Sequence, residues 1–280
     1  MNPDLHELLR KAEAAINHPD PKGYRGKVYV GVDLGTAYTV LFVLDANRQP
    51  LAGAYQYADF IREGVVVDFM GAANLLRRLK VQVEETLGFQ LTAAATTHPP
   101  GIPVAEVRAT RYVLESAGFE CTGIVDEPTA ANAVLQVENG AVVDIGGGTT
   151  GIAVVENGRV IYTADEPTGG TQFTLVIAGS LGISFEEAEA LKLRKEEQAR
   201  LFPKVVPVME KIASIINYHI FRYRVDHIYL VGGTSAFPGI AGVIERETTI
   251  PTTVPVNPLF VTPLGVAMFD EPREYPSYGR

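Results

Sequence analysis

Two stretches of this chain repeat one local pattern, and that repeat constrains the fold more than any other feature. VYVGVDLGTAYTVLFVLD carries Asp33, Gly35, Thr36 and Thr39, and VVDIGGGTTGIAVVENGRVI carries Asp144, Gly146, Gly147, Gly148 and Thr149. The two aspartates stand 111 residues apart (144 − 33). In both stretches an apolar, β-branched run ends in an acid, breaks at glycine and resumes. Glycine between strands costs stability and marks close approach by a ligand or another backbone. It also lets backbone N–H groups reach an anion with no Cβ in the way. The aspartate cannot hold phosphate directly, because like charges repel. It becomes useful when Mg²⁺, with its water shell, lies between carboxylate and phosphate. Two such turns facing each other would clamp a polyphosphate and its metal. Asp33 and Asp144 are therefore candidate metal ligands through water. Gly35, Thr36, Thr39, Gly146, Gly147, Gly148 and Thr149 are candidate phosphate donors. The plainer reading is two tight hairpins in an ordinary β-rich protein, and two copies in matching contexts count against it.

The surrounding pattern predicts an α/β fold of duplicated plan, with strands alternating with helices in two similar halves. Residues 4–16 place Leu5, Leu8, Leu9, Ala12 and Ile16 on one helical face before HPDPKG breaks the pattern. This N-terminal helix either docks on its own domain or binds a partner, and the first reading is favoured. KVYVGVD and YTVLFVLD read as strands, EGVVVDF as a short β segment and MGAANLLRRLKVQVEETLGF as an amphipathic helix. LTAAATTHPPGI reads as a buried strand, PVAEVRATRYVLESAGF as a helix and CTGIVDEPTAANAVL as a strand entering a helix. In the second half, TQFTLVIAGSLGISFEEAEALKLR is a helical region, and a further helix is expected over 203–222. VDHIYLVGGTSAFPGI reads as strand, glycine turn and helix start. The expected organisation is a helix and linker over 1–26, one half over 27–140, a second over 141–270 and a flexible tail over 271–280.

Composition excludes several alternatives. A 280-residue chain that is 46% hydrophobic and 20% charged supports a substantial core. A net charge of −9 argues against a nucleic-acid surface. The single cysteine, Cys121, permits no internal disulfide, and the 5 scattered histidines form no zinc spacing with it. No apolar run reaches the roughly 20 residues that span a bilayer, and the N-terminus lacks the order of a signal peptide. A cytoplasmic, soluble protein with no membrane contact is expected.

With five stretches quoted together, a resemblance becomes specific. Both turns resemble the phosphate motifs of the actin, hexokinase and DnaK-type chaperone superfamily. IVDEPTAANAVL resembles its connecting helix motif, TGGTQFTLVIAGSLGISFEEAEALK its second-half glycine turn and following helices, and LVGGTSAFPGI its second nucleotide-binding turn. The resemblance covers Lys27 to about Asp270. It implies a duplicated actin-like (ribonuclease H-like) ATPase fold, with two lobes around a nucleotide cleft that takes ATP or ADP with Mg²⁺. It also implies roles for single residues. Glu127 takes the place of an acid near the attacking water, the plainer alternative being an acid favoured at a helix start by the helix dipole. Gly169 and Gly170 would approach phosphate. Glu189 and Lys192 match a pair that contacts ribose and base, or else form an ion pair worth about 0.3–0.5 kcal/mol. Gly232, Gly233 and Thr234 would pack against adenosine. No counterpart of the chaperones' first-lobe lysine follows Asp68, and Pro99, Pro100 and Arg108 only loosely match their proline–arginine relay. Turnover, if any, is expected to be slow.

Within the superfamily, the chain is most similar to the EutJ family, chaperone-like proteins of ethanolamine-utilisation operons. A short helix precedes VGVDLGT, and VDEPTAAN, VDIGGGTTGI and LVGGTSAFPG are all present. That resemblance implies cytoplasmic work beside a bacterial microcompartment. Its clients would be enzymes of ethanolamine degradation or microcompartment proteins, assisted as ATP closes the two lobes. The alternative is a polymerising actin-like scaffold of the MreB kind.

Overall fold

The computed structural model describes residues 3–21, 23–58, 60–62, 65–271 and 273–274. The chain forms two compact units, one of Met1–Gln136 with Phe260–Arg280 and the other of Val137–Leu259. The sequence alone placed everything through 270 in the second half. Instead the chain returns at Phe260, and the reason is packing. The helix that follows Phe260 buries itself wholly against the first unit.

In the first unit, α1 (Pro3–Asn17) precedes the meander β1 (Lys27–Leu34), β2 (Tyr38–Leu44) and β3 (Pro50–Tyr57). A two-stranded hairpin, β4 (Ile61–Arg62) and β5 (Val65–Val66), leads into α2 (Phe69–Leu87). Then come β6 (Ala93–His98), α3 (Val104–Ser116), β7 (Glu120–Asp126) and α4 (Glu127–Leu135). The sheet order is β3-β2-β1-β6-β7, with β2 antiparallel to both β1 and β3, and β6 and β7 parallel to β1. Helix α2 shows why its segment folds this way. Asp68 caps its start by accepting from the Gly71 N–H at 2.8 Å, and left-handed Gly88 ends it. Its buried stripe Ala72, Leu75, Leu76, Leu79, Val83, Leu87 runs at helical spacing into a core shared with Val30, Val32, Leu41 and Val43. Strand β3 was not read from the sequence, because Gly53 and the two alanines beside it, Ala52 and Ala54, blur its alternation.

The second unit opens with β8 (Gly140–Ile145), β9 (Thr150–Glu156) and β10 (Arg159–Glu166), followed by α5 (Gly170–Leu181) and α6 (Phe185–Leu193). Next are α7 (Lys195–Ile220), β11 (Ile228–Val231), α8 (Ile240–Thr248) and β12 (Thr252–Thr253). Its sheet order, β10-β9-β8-β11-β12, repeats the first unit strand for strand. Helix α7 starts eight residues before the expected Pro203 (203 − 195) and runs through both Pro203 and Pro207. Proline usually opens a helix because it lacks an N–H. Here both prolines lie on the exposed face, while Leu201, Val205, Val208, Met209, Ile212 and Ile216 bury the opposite stripe, so packing overrides propensity.

The chain then re-enters the first unit as α9 (Val261–Ala267), all seven residues buried. Asp270 follows it and anchors the return. Its carboxylate accepts from the Val30 N–H at 2.8 Å and from the Thr122 hydroxyl. A last pair, β13 (Arg273–Glu274), runs antiparallel to β1. Most of the tail expected at 271–280 lies outside the described residues. Helix α1 docks on its own unit, with Leu5, Leu9, Ala12 and Ala15 buried and Lys11 Nζ donating to Gln49 Oε1 at 3.0 Å. Among the described residues, no helix is long and apolar enough to cross a membrane.

Candidate nucleotide site

The two turns read from the sequence have the same register. Leu34 pairs with Thr39 and Asp33 with Val40, while Ile145 pairs with Thr150 and Asp144 with Gly151. In each turn the leading glycine donates to a carbonyl three residues on, Gly35 N–H to Tyr38 O and Gly146 N–H to Thr149 O, both at 3.0 Å. Thr39 therefore corresponds to Thr150. Both are strand residues, and Thr39 is only 2% exposed. Position 149 of the second turn corresponds to Tyr38.

In the first unit, the acids sit at the carboxyl ends of the parallel strands β1 and β7, with β6 between them, at the edge where open α/β sheets place ligands. Asp33 is near the end of β1, and its Oδ1 accepts from Thr97 Oγ1 at 3.1 Å across the β1–β6 pair. Asp126 ends β7 and caps α4, accepting from the Thr129 N–H at 3.0 Å. Glu127 is the first residue of α4, with Pro128 next, and is half-buried. Thr97 was missed by sequence reasoning. Its signal was the TTH run that closes a strand otherwise made of alanine.

The second unit gathers three of its predicted segments into one cradle. Gly146 O accepts from the Gly170 N–H at 3.0 Å and from Thr234 Oγ1 at 2.7 Å, and Gly147 O accepts from the Thr171 N–H at 2.7 Å. The turn's carbonyls thus face the start of α5 and the Gly232–Thr234 bend. Gly169 N–H donates to Gln172 Oε1 at 2.7 Å. The first N–H groups of α5 are therefore spent inside the protein, which the sequence could not foresee for Gly169 and Gly170. Among the described residues, none accepts from the N–H groups of Gly147, Gly148 or Thr149. Buried backbone donors are almost always paired in folded proteins, so three adjacent donors without a protein acceptor suit an anion. Gly232 closes the cradle from β11. Its φ is +85°, and a Cβ there would strike the Asp144 carboxylate and the Ile145 carbonyl.

Glu189 and Lys192 lie beside this cradle, on one face of α6. Lys192 Nζ donates to Glu189 Oε2 at 2.6 Å, to Thr174 Oγ1 at 2.9 Å and to Gly170 O at 3.2 Å. Three acceptors use all three ammonium donors. The pair is a buried clamp between α6 and the start of α5, its side chains 13% and 14% exposed, rather than a surface ion pair. Burial pushes the Lys192 ammonium below the usual lysine range, against the pull of the Glu189 carboxylate. Thr174, which also donates to Glu189, was another residue missed by sequence reasoning.

Among the described residues, no group of three or more His, Cys, Asp or Glu could hold a metal. Donors without acceptors, and an acid at the end of β8, fit a magnesium-bound polyphosphate in the second unit.

Two units with the same five-strand order and an acid-glycine turn in each define the actin-like ATPase fold. Two family models agree, the MreB/Mbl protein over residues 54–194 and the type IV pilus assembly protein PilM over 126–265. The crystal structure of MreB5 of Spiroplasma citri bound to ADP has a TM-score of 0.70 at 16% identity, covering 87% of this chain and 96% of that one. Within that fold, the chain belongs to the EutJ family. It is 42% identical to the ethanolamine utilization protein EutJ of Salmonella typhimurium, over 94% of this chain and 92% of the relative. The crystal structure of EutJ from Carboxydothermus hydrogenoformans matches at a TM-score of 0.90 and 43% identity, covering 95% of this chain and 98% of that chain.

Proposed function

We propose that this protein binds ATP or ADP with Mg²⁺ and works as a nucleotide-switched accessory chaperone in ethanolamine utilisation. Its clients are the enzymes of ethanolamine degradation or microcompartment proteins, in the cytoplasm. The observation that carries this reading is the set of N–H groups at Gly147, Gly148 and Thr149, for which no described residue is an acceptor, in a turn whose Gly146 and Gly147 carbonyls are bonded to Gly170, Thr171 and Thr234. The family's place in ethanolamine utilisation supplies the setting, and the MreB5 structures with ADP and AMPPNP show that this fold takes nucleotide in a relative.

Bound nucleotide supplies charge and a hydrolysable phosphoanhydride. The chain's own residues bind and orient it. Gly147, Gly148 and Thr149 would hold phosphate oxygens by backbone donors, and Asp144 and Asp33 would hold metal-bound water. Gly232, Gly233 and Thr234 would border the nucleoside. Glu127 can accept a proton at its carboxylate or fix a water. A nucleotide shifts a client-binding surface only through different affinity for two states.

Calorimetry with Mg-ATP and Mg-ADP tests the binding, with one site per chain expected. Co-purification of a client, lost in Asp33→Ala, tests the switch. No heat with either nucleotide rejects the reading. The MreB/Mbl match keeps a polymerising scaffold as the second reading, and ATP-dependent pelleting at high speed would establish it in place of the first.

A further inference from the structure

Residues 166–171 carry the chain from the end of β10 into α5, beside the second unit's glycine turn. Their far end is fixed by that turn, because the Gly170 and Thr171 N–H groups donate to the Gly146 and Gly147 carbonyls. Their middle is fixed by Thr150, whose hydroxyl donates to the Thr168 carbonyl at 2.6 Å, with Thr168 only 2% exposed. Their near end is fixed from another element. His219, in the last turn of α7, has its Nε2 2.9 Å from Glu166 Oε1 and its Nδ1 2.8 Å from the Tyr162 hydroxyl of β10. The imidazole is 10% exposed and the Glu166 side chain 37%.

These contacts place the protons. Burial pushes the Tyr162 hydroxyl above the usual tyrosine range, so it keeps its proton and donates to Nδ1. Nε2 of the neutral ring then carries the other proton and donates to the Glu166 carboxylate. A further proton on Nδ1 turns the Tyr162 hydroxyl into an acceptor. Both bonds survive, and the one to Glu166 gains a charged donor, which strengthens it. The titratable groups around the ring are Glu166 and Tyr162 of β10, Tyr218 of α7, edge-on to it at 5.1 Å, and Tyr223, packed on Tyr162 at 5.1 Å. We propose that His219 is a positioning residue of the nucleotide site. Through Glu166 it holds the segment that keeps the Gly146 and Gly147 carbonyls bonded and leaves the turn's N–H groups to phosphate. This role rests on the nucleotide site proposed above and adds its control by a proton. Affinity is greater with the imidazolium than with the neutral ring, because the charged ring grips Glu166 harder.

Calorimetric titration of the full chain with Mg-ADP tests this at about pH 6 and about pH 8, on either side of the range in which histidine ordinarily changes charge. His219→Leu loses the bond to Glu166 and should bind about tenfold more weakly than the parent at the lower pH. His219→Gln keeps an amide donor for Glu166 but cannot titrate. It should match the parent at the higher pH and fall about fivefold behind it at the lower one. The titration of ADP itself cancels in the comparison between proteins. Circular dichroism checks that each variant is folded, and should His219→Leu unfold, the comparison of parent with His219→Gln decides. A folded His219→Leu binding as tightly as the parent, or parent and His219→Gln responding alike to pH, would overturn the assignment and leave the nucleotide site standing. No heat from the parent at either pH would remove that site and this role with it.

Discussion

Lys192 shows how far a residue's role can differ from its sequence reading. Spacing on one helical face left a loose ion pair as the alternative to a ribose and base contact, but the ammonium turns inward and meets three acceptors. A buried pair attracts strongly, yet its desolvation cancels most of the gain, so removing one partner hurts more than removing both. Lys192→Met leaves the Glu189 carboxylate buried beside Thr174 and should cost about 3 kcal/mol. Glu189→Met should cost a similar amount, and the double variant less than the sum of the two. Urea unfolding of the four proteins checks this, and additive losses would reject the clamp. The pH dependence has a definite sign. Burial holds the folded-state pKa of Lys192 below the ordinary value of about 10.4, so the folded chain releases this proton first. The contribution to stability is fully present above the ordinary value and is lost as pH falls through the folded one, and Lys192→Met removes that slope.

At the scale of elements, the sequence showed what periodicity and glycine turns encode. Helices α2, α3 and α4 and the strands around both acids lie where alternation, caps and turns predict them. The start of α7 was hidden by Pro203, since tertiary burial of Leu201 and Val205 outweighs the cost of an internal proline. Helix α9 was hidden by Pro263 and Gly265, residues that argue against a helix. Gly265 is there for contact: a Cβ at this position would run into the Ala130 carbonyl of α4. Gly265→Ala should therefore cost about 3 kcal/mol by overpacking. Gly179→Ala in α5, where a Cβ meets nothing within 4 Å, should instead gain about 1 kcal/mol in helix propensity. Thermal unfolding of both variants separates the two effects. A Gly265→Ala protein as stable as the parent would refute close packing of α9 on α4.

At the scale of the whole molecule, the duplicated plan was legible because each copy carries its own acid, glycine and strand pair. The C-terminal return was not, because nothing local tells a chain which of two similar units a late helix will join. Duplication also gives each turn a separate test. Mg-ATP at about a hundred times its Kd should add about 2.7 kcal/mol to the folded state. At roughly 2–4 °C per kcal/mol for a chain of this size, the melting midpoint should rise by roughly 5–10 °C. Asp144→Ala tests the second unit's turn and Asp33→Ala the first unit's, and each should cut the rise well below that of the parent. ATP without the metal should give a smaller rise than Mg-ATP, since both acids act through metal-bound water. A full rise in both variants would mean that neither aspartate helps to hold the magnesium. An equal rise with and without the metal would leave the turns as phosphate cradles and remove the carboxylates from the site.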